Sequence, residues 1–313
     1  MRDLHLTIRN GGGSVEHYHH FLLGFLVPLV HQRDRIWANP NFAKVLIRSC
    51  GPMDRLIGEL KSDKIVIVDK TRHHELAKAD APQNGLDFMM LRGFDYPVRY
   101  DCGVFAVTKK ILEATLKAEI EREREEIAAR FGKASPKIVL IERGAPDPFY
   151  LSDRAEAKSA GSARRSIKNH EELRAQLAAR FGHCLNLRLE GFTLARQIAL
   201  YSAADIIVAQ HGAALSNMVW AHKRAGVIEI SPATIPEQDR AQDYFRNLAR
   251  CLGLRYCRVE QAESHGAVDI DRICAAIENI VRPARNSISD GAARTATKYW
   301  LTFRARLRSR LRR

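Results

Sequence analysis

Ile206-Ile207-Val208-Ala209-Gln210-His211-Gly212-Ala213-Ala214 is the stretch on which the reading of the fold turns. An apolar run over 206–209 makes a short buried strand, small residues follow, and an apolar helix is expected at once over 213–221. A strand that feeds a helix through so tight a bend is half of a βαβ unit. The pattern repeats on either side. Downstream the spacing predicts strand 227–230, helix 238–252, strand 255–259 and helix 270–281. Upstream it predicts strand 137–141, helix 170–181 with Asn169 at its N-cap, strand 184–189 and helix 194–203. Such alternation implies a parallel sheet with helices on both faces, whose ligands sit at the carboxyl ends of the strands.

Before residue 134 the spacing is less regular. It predicts a helix over 15–30, strands over 44–48 and 64–69, and one long helix over 108–130 that joins two halves and is stopped by Gly132 and Pro136. The expected units are therefore 1–133, 134–290 and a basic tail, 291–313. Phe21 to Val30 is the longest apolar run, and its ten residues make about 15 Å of helix, half of what a bilayer requires. The opening residues carry no secretory pattern, so a cytoplasmic location is expected. Six cysteines without a CxxC pair suggest neither a zinc site nor a thiol-redox site, and reduced thiols are the default.

The 313 residues carry a net charge of +14, unevenly spread. Residues 281–313 hold ten Arg or Lys against one Asp and supply +9, which leaves +5 on the body. A body so nearly balanced suits a small anion better than a polynucleotide.

Several residues then stand out as carriers of chemistry. At Gln210-His211-Gly212-Ala213-Ala214, small side chains let a ligand approach the backbone, and a helix N-terminus favours an anion such as a diphosphate. A tight structural turn is the alternative. Arg143 follows the first strand of the C-terminal half, and Arg165 lies in the long polar loop 143–168; guanidinium groups grip phosphate in a bidentate way, unless these two merely face solvent. Glu229, on a buried strand, needs a partner, which a sugar hydroxyl or a buried salt bridge would supply. No GxGxxG follows a strand and no GxxxxGK[ST] is present, so the site is neither a dinucleotide fingerprint nor a P-loop. Asp269-Ile270-Asp271 formally resembles a metal-binding DxD, but at the start of a helix capping explains both acids, and no metal or other cofactor is expected.

The order Gln197, then Gln210-His211-Gly212-Ala213-Ala214-Leu215-Ser216-Asn217-Met218, then Val227-Ile228-Glu229-Ile230 resembles the signature of glycosyltransferase family 61. Ile141-Glu142-Arg143, Arg164-Arg165-Ser166-Ile167-Lys168-Asn169-His170-Glu171-Glu172-Leu173 and Glu16-His17-Tyr18-His19-His20-Phe21-Leu22-Leu23 are similar to its other motifs. The resemblance implies a GT-B architecture, two Rossmann-like domains facing a central cleft, and an inverting, metal-independent transfer from a nucleotide sugar, a UDP-sugar, to a glycan or glycolipid acceptor, as in capsular or other surface polysaccharide synthesis. It assigns the donor to Arg143, Arg165, Asn169, Gln197, His211, Gly212, Ala213, Asn217 and Glu229, with the acceptor approaching from the N-terminal half. The family commonly has an acid four positions after the N-terminal histidine, and here that position is Gly24. That leaves His20 or its neighbour His19 as the catalytic base; the alternative is that His17, His19 and His20 merely flank a helix start.

Over 299–313 the spacing of Trp300, Phe303, Leu307 and Leu311 puts one apolar stripe on a basic helix, which suits an anionic membrane surface at the inner membrane face. Two other readings stay open: a nucleotide-sugar-binding protein that has lost catalysis, suggested by Gly24, and, on net charge alone, a nucleic-acid-binding protein, which is the weakest.

Overall fold

Strands of four to eight residues form two parallel sheets in a computed structural model of the chain, which describes residues 1–9, 13–78, 86–93, 100–156, 160–235 and 243–282. The N-terminal sheet comprises β1 (Arg2–Arg9), β2 (Phe42–Arg48), β3 (Ile65–Val68) and β4 (Leu86–Arg92), in the order β3-β2-β1-β4. The C-terminal sheet comprises β5 (Ile138–Ile141), β6 (Cys184–Leu187), β7 (Ile206–Gln210), β8 (Gly226–Pro232) and β9 (Arg255–Gln261), in the order β6-β5-β7-β8-β9. All recorded pairings are parallel. Mixed α/β architecture on parallel sheets is thus what the chain adopts.

Every residue of β5, β7 and β8 is buried, as a sheet covered on both faces demands. Alternation divides them between two cores. Val139, Ile141, Ile207 and Ala209 join a large core that also takes in Leu4, Leu6, Phe25 and Ile47 of the N-terminal half, whereas Ile138, Leu140, Ile206 and Val208 face a smaller one closed by Leu173, Leu177 and Ile277. One apolar core therefore runs through both sheets.

The regular C-terminal alternation is found nearly as read: helices His170–Phe181, Leu194–Ala203 and Ile270–Val281 have the expected bounds. Elsewhere the structure differs. β1 and β4 were not expected, because their apolar residues are mixed with charges; in β1 only Leu4 and Leu6 are deeply buried hydrophobics. The N-terminal helix begins at Tyr18 and is interrupted, running as α-helix Tyr18–Phe21, π-helix Leu22–Leu26 and α-helix Val27–His31. Pro28 has no N–H to give to Gly24 four residues back, and the stretch before it turns to i→i+5 bonding. The long helix is two helices, Cys102–Thr115 and Lys117–Phe131, broken at Leu116, where the Thr115 hydroxyl donates back to the Ile111 carbonyl (2.9 Å). The expectation of six free thiols is corrected as well. Cys102 and Cys251 form a disulfide, Cα to Cα 5.8 Å, joining the start of helix Cys102–Thr115 to helix Tyr244–Leu252, while Cys50, Cys184, Cys257 and Cys274 are free. A separation of 149 residues leaves no spacing signal.

Among the described residues no helix is long and apolar enough to cross a membrane. The tail reading over 299–313 lies outside the described residues.

Candidate functional site

Strand order reverses between β5 and β7, since β6 lies on one side of β5 and β7 on the other. Crevices open at such switch points, beyond the carboxyl ends of the strands. Here a cavity of about 310 Å³ is lined by Ile141 at the end of β5 and Arg143 after it, Leu189 and Glu190 after β6, and Gln210 at the end of β7 with Gly212 and Ala213 after it. The N-terminal half closes it with His17, Tyr18, Met53 and Arg55. That volume suits a small-molecule ligand.

The arginines come together at this point. Arg143 Nη2 donates to the His211 carbonyl at 2.7 Å and Nη1 to the Gly161 carbonyl at 3.2 Å; Arg165 Nη1 reaches the same His211 carbonyl at 3.3 Å. Gly212 is required by this approach, because a Cβ there would stand 1.9 Å from Arg143 Nη2. Arg164 lines the same cavity. Burial first, and then the charges of Arg165 and Arg164, push Arg143 down to about 10, with Glu190 pulling the other way. Three guanidinium groups gathered in a half-enclosed space repel one another, and an anion placed among them removes that repulsion.

The helix after the bend is a 3₁₀ helix, Ala213–Trp220, rather than the α-helix expected, and Gly212 at its N-cap position has no side chain to cap it. Its Ser216 and Asn217 are buried. Gln210 is pinned from outside: its Nε2 donates to Gln261 Oε1 at 2.6 Å and to the Ser166 carbonyl at 3.1 Å, which anchors the arginine-bearing loop to the sheet.

Glu229 is placed differently from the sugar contact expected of it. Fully buried, it accepts from His211 Nδ1 at 2.5 Å, is bonded by the Tyr256 hydroxyl, and lies 3.4 Å from Arg258 Nε. It does not line the cavity, and the buried-salt-bridge alternative describes it. His211 thus offers the cavity side its backbone carbonyl, while its ring turns to Glu229 and packs edge-on against Phe245, centroids 5.1 Å apart.

Gln197 and Asn217 do line the cavity, but their known bonds are internal. The Tyr18 hydroxyl contacts Gln197 Oε1 and donates to Asn217 Oδ1 at 2.8 Å, and Asn217 Oδ1 also accepts from Trp220 Nε1 at 3.1 Å. This buried junction fastens the N-terminal helix to the C-terminal sheet, and burial pushes Tyr18 far above its ordinary value. Asn169 neither lines the cavity nor caps its helix; its Oδ1 accepts from Val268 N–H at 2.8 Å and its Nδ2 donates to the Val268 carbonyl at 3.1 Å. Asp269 does cap, accepting from Arg272 N–H at 3.0 Å.

The three N-terminal histidines separate. His19 Nδ1 is 2.7 Å from Ser216 Oγ and its ring is boxed by His20, Tyr244 and Phe245; burial, then the neighbouring histidines, push it down to about 3. The His20 ring covers Gly13, whose Cβ position it occupies at 2.1 Å. Only His17 lines the cavity. Sequence reasoning passed over Arg55 and Glu190, and it placed His17 and Arg164 inside family-like segments without giving either a role in the site.

What these elements define is a parallel-sheet α/β protein with an arginine-walled cavity at its strand ends. A family model described as Glycosyltransferase 61 matches residues 18–228, more than half of the chain, and the chain belongs to glycosyltransferase family 61. No curated protein matches it.

Proposed function

We propose that the protein is an inverting glycosyltransferase of GT-B type, with units over 1–133 and 134–290, that transfers a sugar from a UDP-sugar to a glycan or glycolipid acceptor in surface polysaccharide synthesis. The observation that carries this reading is the convergence of Arg143, Arg164 and Arg165 on one cavity at the β5–β7 switch point. A diphosphate brings two negative charges to that spot and matches paired guanidinium forks. Gly212 and Ala213 let the ligand approach the backbone. Gln197 and Asn217 shape the floor, and His211 and Glu229 act from behind it by fixing the bend.

In the transfer the bond from the anomeric carbon to the diphosphate breaks, and the diphosphate leaves with the electron pair. Pre-aimed donors meet that charge without reorganising, each worth about 10²- to 10³-fold in rate. No step here requires a metal ion, and attachment to an anionic inner membrane face through 299–313 belongs to the same proposal. The experiment is a thermal-shift screen of the purified protein against nucleotides and nucleotide sugars. UDP and UDP-sugars are expected to stabilise the protein by about 2.7 kcal/mol at 100 times the dissociation constant, and Arg165→Ala to lose the shift. Stabilisation by no nucleotide in the screen overturns the reading.

A further inference from the structure

We propose that His17, and not His19 or His20, accepts the proton of the attacking acceptor hydroxyl. The inference rests on the cavity being the donor site. A base for a direct displacement must reach the space beside the bond that breaks, where the sugar meets its diphosphate. His17 is the one histidine in the cavity wall, and Arg164, one of the four arginines of that wall, is close enough to act on its charge. Its ring forms no hydrogen bond with another described side chain, so its nitrogens are open to a ligand. His20 stands behind it, ring centroids 6.2 Å apart, and is turned onto Gly13. His19 is enclosed and already bonded through Nδ1 to Ser216.

The step balances without a co-reactant. The acceptor oxygen forms its bond to the anomeric carbon as its proton passes to a His17 ring nitrogen, and the bond to the diphosphate breaks with the electron pair going to the leaving group. The electrostatics suit a base. Burial first and then Arg164 lower His17 from its ordinary 6.5 and Glu16 opposes them; the rest of the wall holds the cations Arg55, Arg143 and Arg165 and, against them, Glu142, Asp147, Glu190 and the Tyr150 hydroxyl, with the His20 ring beside it. A lowered value keeps the imidazole neutral at neutral pH. Turnover should fall only as the pH drops below the ordinary histidine range.

The test is UDP release from a mixture of UDP-glucose, UDP-galactose, UDP-N-acetylglucosamine and UDP-xylose, with water standing in for the acceptor, alongside UDP binding by each variant. His17→Asn should lower turnover by about 100-fold or more, keep UDP affinity within a few-fold, and abolish the acid limb of the pH profile. His19→Asn and His20→Asn should keep both the turnover, within a few-fold, and the limb. If UDP binds and His17→Asn is as active as the parent, or keeps the acid limb, the role of His17 is overturned while the donor site stands. If the parent neither binds UDP nor releases it, the donor site fails and His17 with it.

Discussion

Each sheet ends in a cavity, and the two cavities treat positive charge in opposite ways. Beyond β5, β6 and β7, Arg55, Arg143, Arg164 and Arg165 share the wall with Glu142, Asp147 and Glu190; Glu142 is tied to Arg188 and Asp147 accepts the Phe149 N–H at 2.8 Å, which leaves Glu190 as the carboxylate that bears on Arg143. Beyond β1 and β2 a second cavity, about 410 Å³, is lined by Thr7, Ser14, Arg48, His73 and Glu156. There Arg48 meets Glu156 at 2.6 Å, and Lys70 pairs with the fully buried Glu16, which also accepts the Glu156 N–H at 2.6 Å. Charges matched within the chain hold the fold together, whereas charges in excess mark where a ligand's charge belongs. Substitutions in the first cavity should therefore damage binding, and those in the second should damage stability.

The largest effect is expected from Glu16→Gln, which leaves Lys70 and Arg48 without their buried partner and should cost about 3–5 kcal/mol in a urea titration while UDP affinity in the folded fraction stays unchanged. Gly212→Ala reverses the pattern. Displacing Arg143 should weaken UDP binding by about 100-fold, with a smaller loss of stability than Glu16→Gln from the strained backbone at a φ of +158°. A variant that changed both equally would break the contrast between the cavities.

Acid should act on the N-terminal side first. His5 is fully buried and its value is lowered to about 4, by desolvation and then by His73, whereas the unfolded chain protonates it near 6.5. The folded state thus binds fewer protons in that window, so stability is present above pH 6.5 and is lost as the pH falls from 6.5 towards 4, by up to about 1.4 kcal/mol per pH unit. His5→Phe should reduce that slope in urea midpoints and leave the share that comes from His19 and the other lowered histidines. Smaller again is Asp101→Ala, which removes the acceptor for Gly103 N–H (2.8 Å) at the start of helix Cys102–Thr115 and should cost about 1 kcal/mol by thermal denaturation.

How much of this was legible in the sequence follows the same division. In the C-terminal half, strands buried on both faces are continuous aliphatic runs, and helices such as Leu194–Ala203 carry their caps locally, so elements and order could be read. Arg143, Arg165 and Gly212 announced themselves by following strands or sitting in a polar loop. β1 and β4 were illegible because they bury so few hydrophobic residues, and the Cys102–Cys251 bond because its partners are 149 residues apart. Glu229 and Asn169 carry the right residue types, but their partners Tyr256, Arg258 and Val268 come from distant segments, and composition gives no hint of which way a side chain turns. His17 stood in the N-terminal segment but its role could not be read, because its place in the wall depends on the helix beginning at Tyr18, three residues later than periodicity suggests.

Titration calorimetry of UDP against the intact protein, the Arg143→Ala, Arg165→Ala double variant and an Arg48→Ala control tests the excess-charge cavity most directly. The expected result is saturable binding by the parent and by Arg48→Ala, and a loss of at least about 100-fold in the double variant. Equal affinity in the parent and the double variant, or no binding by the parent at millimolar UDP, would contradict it.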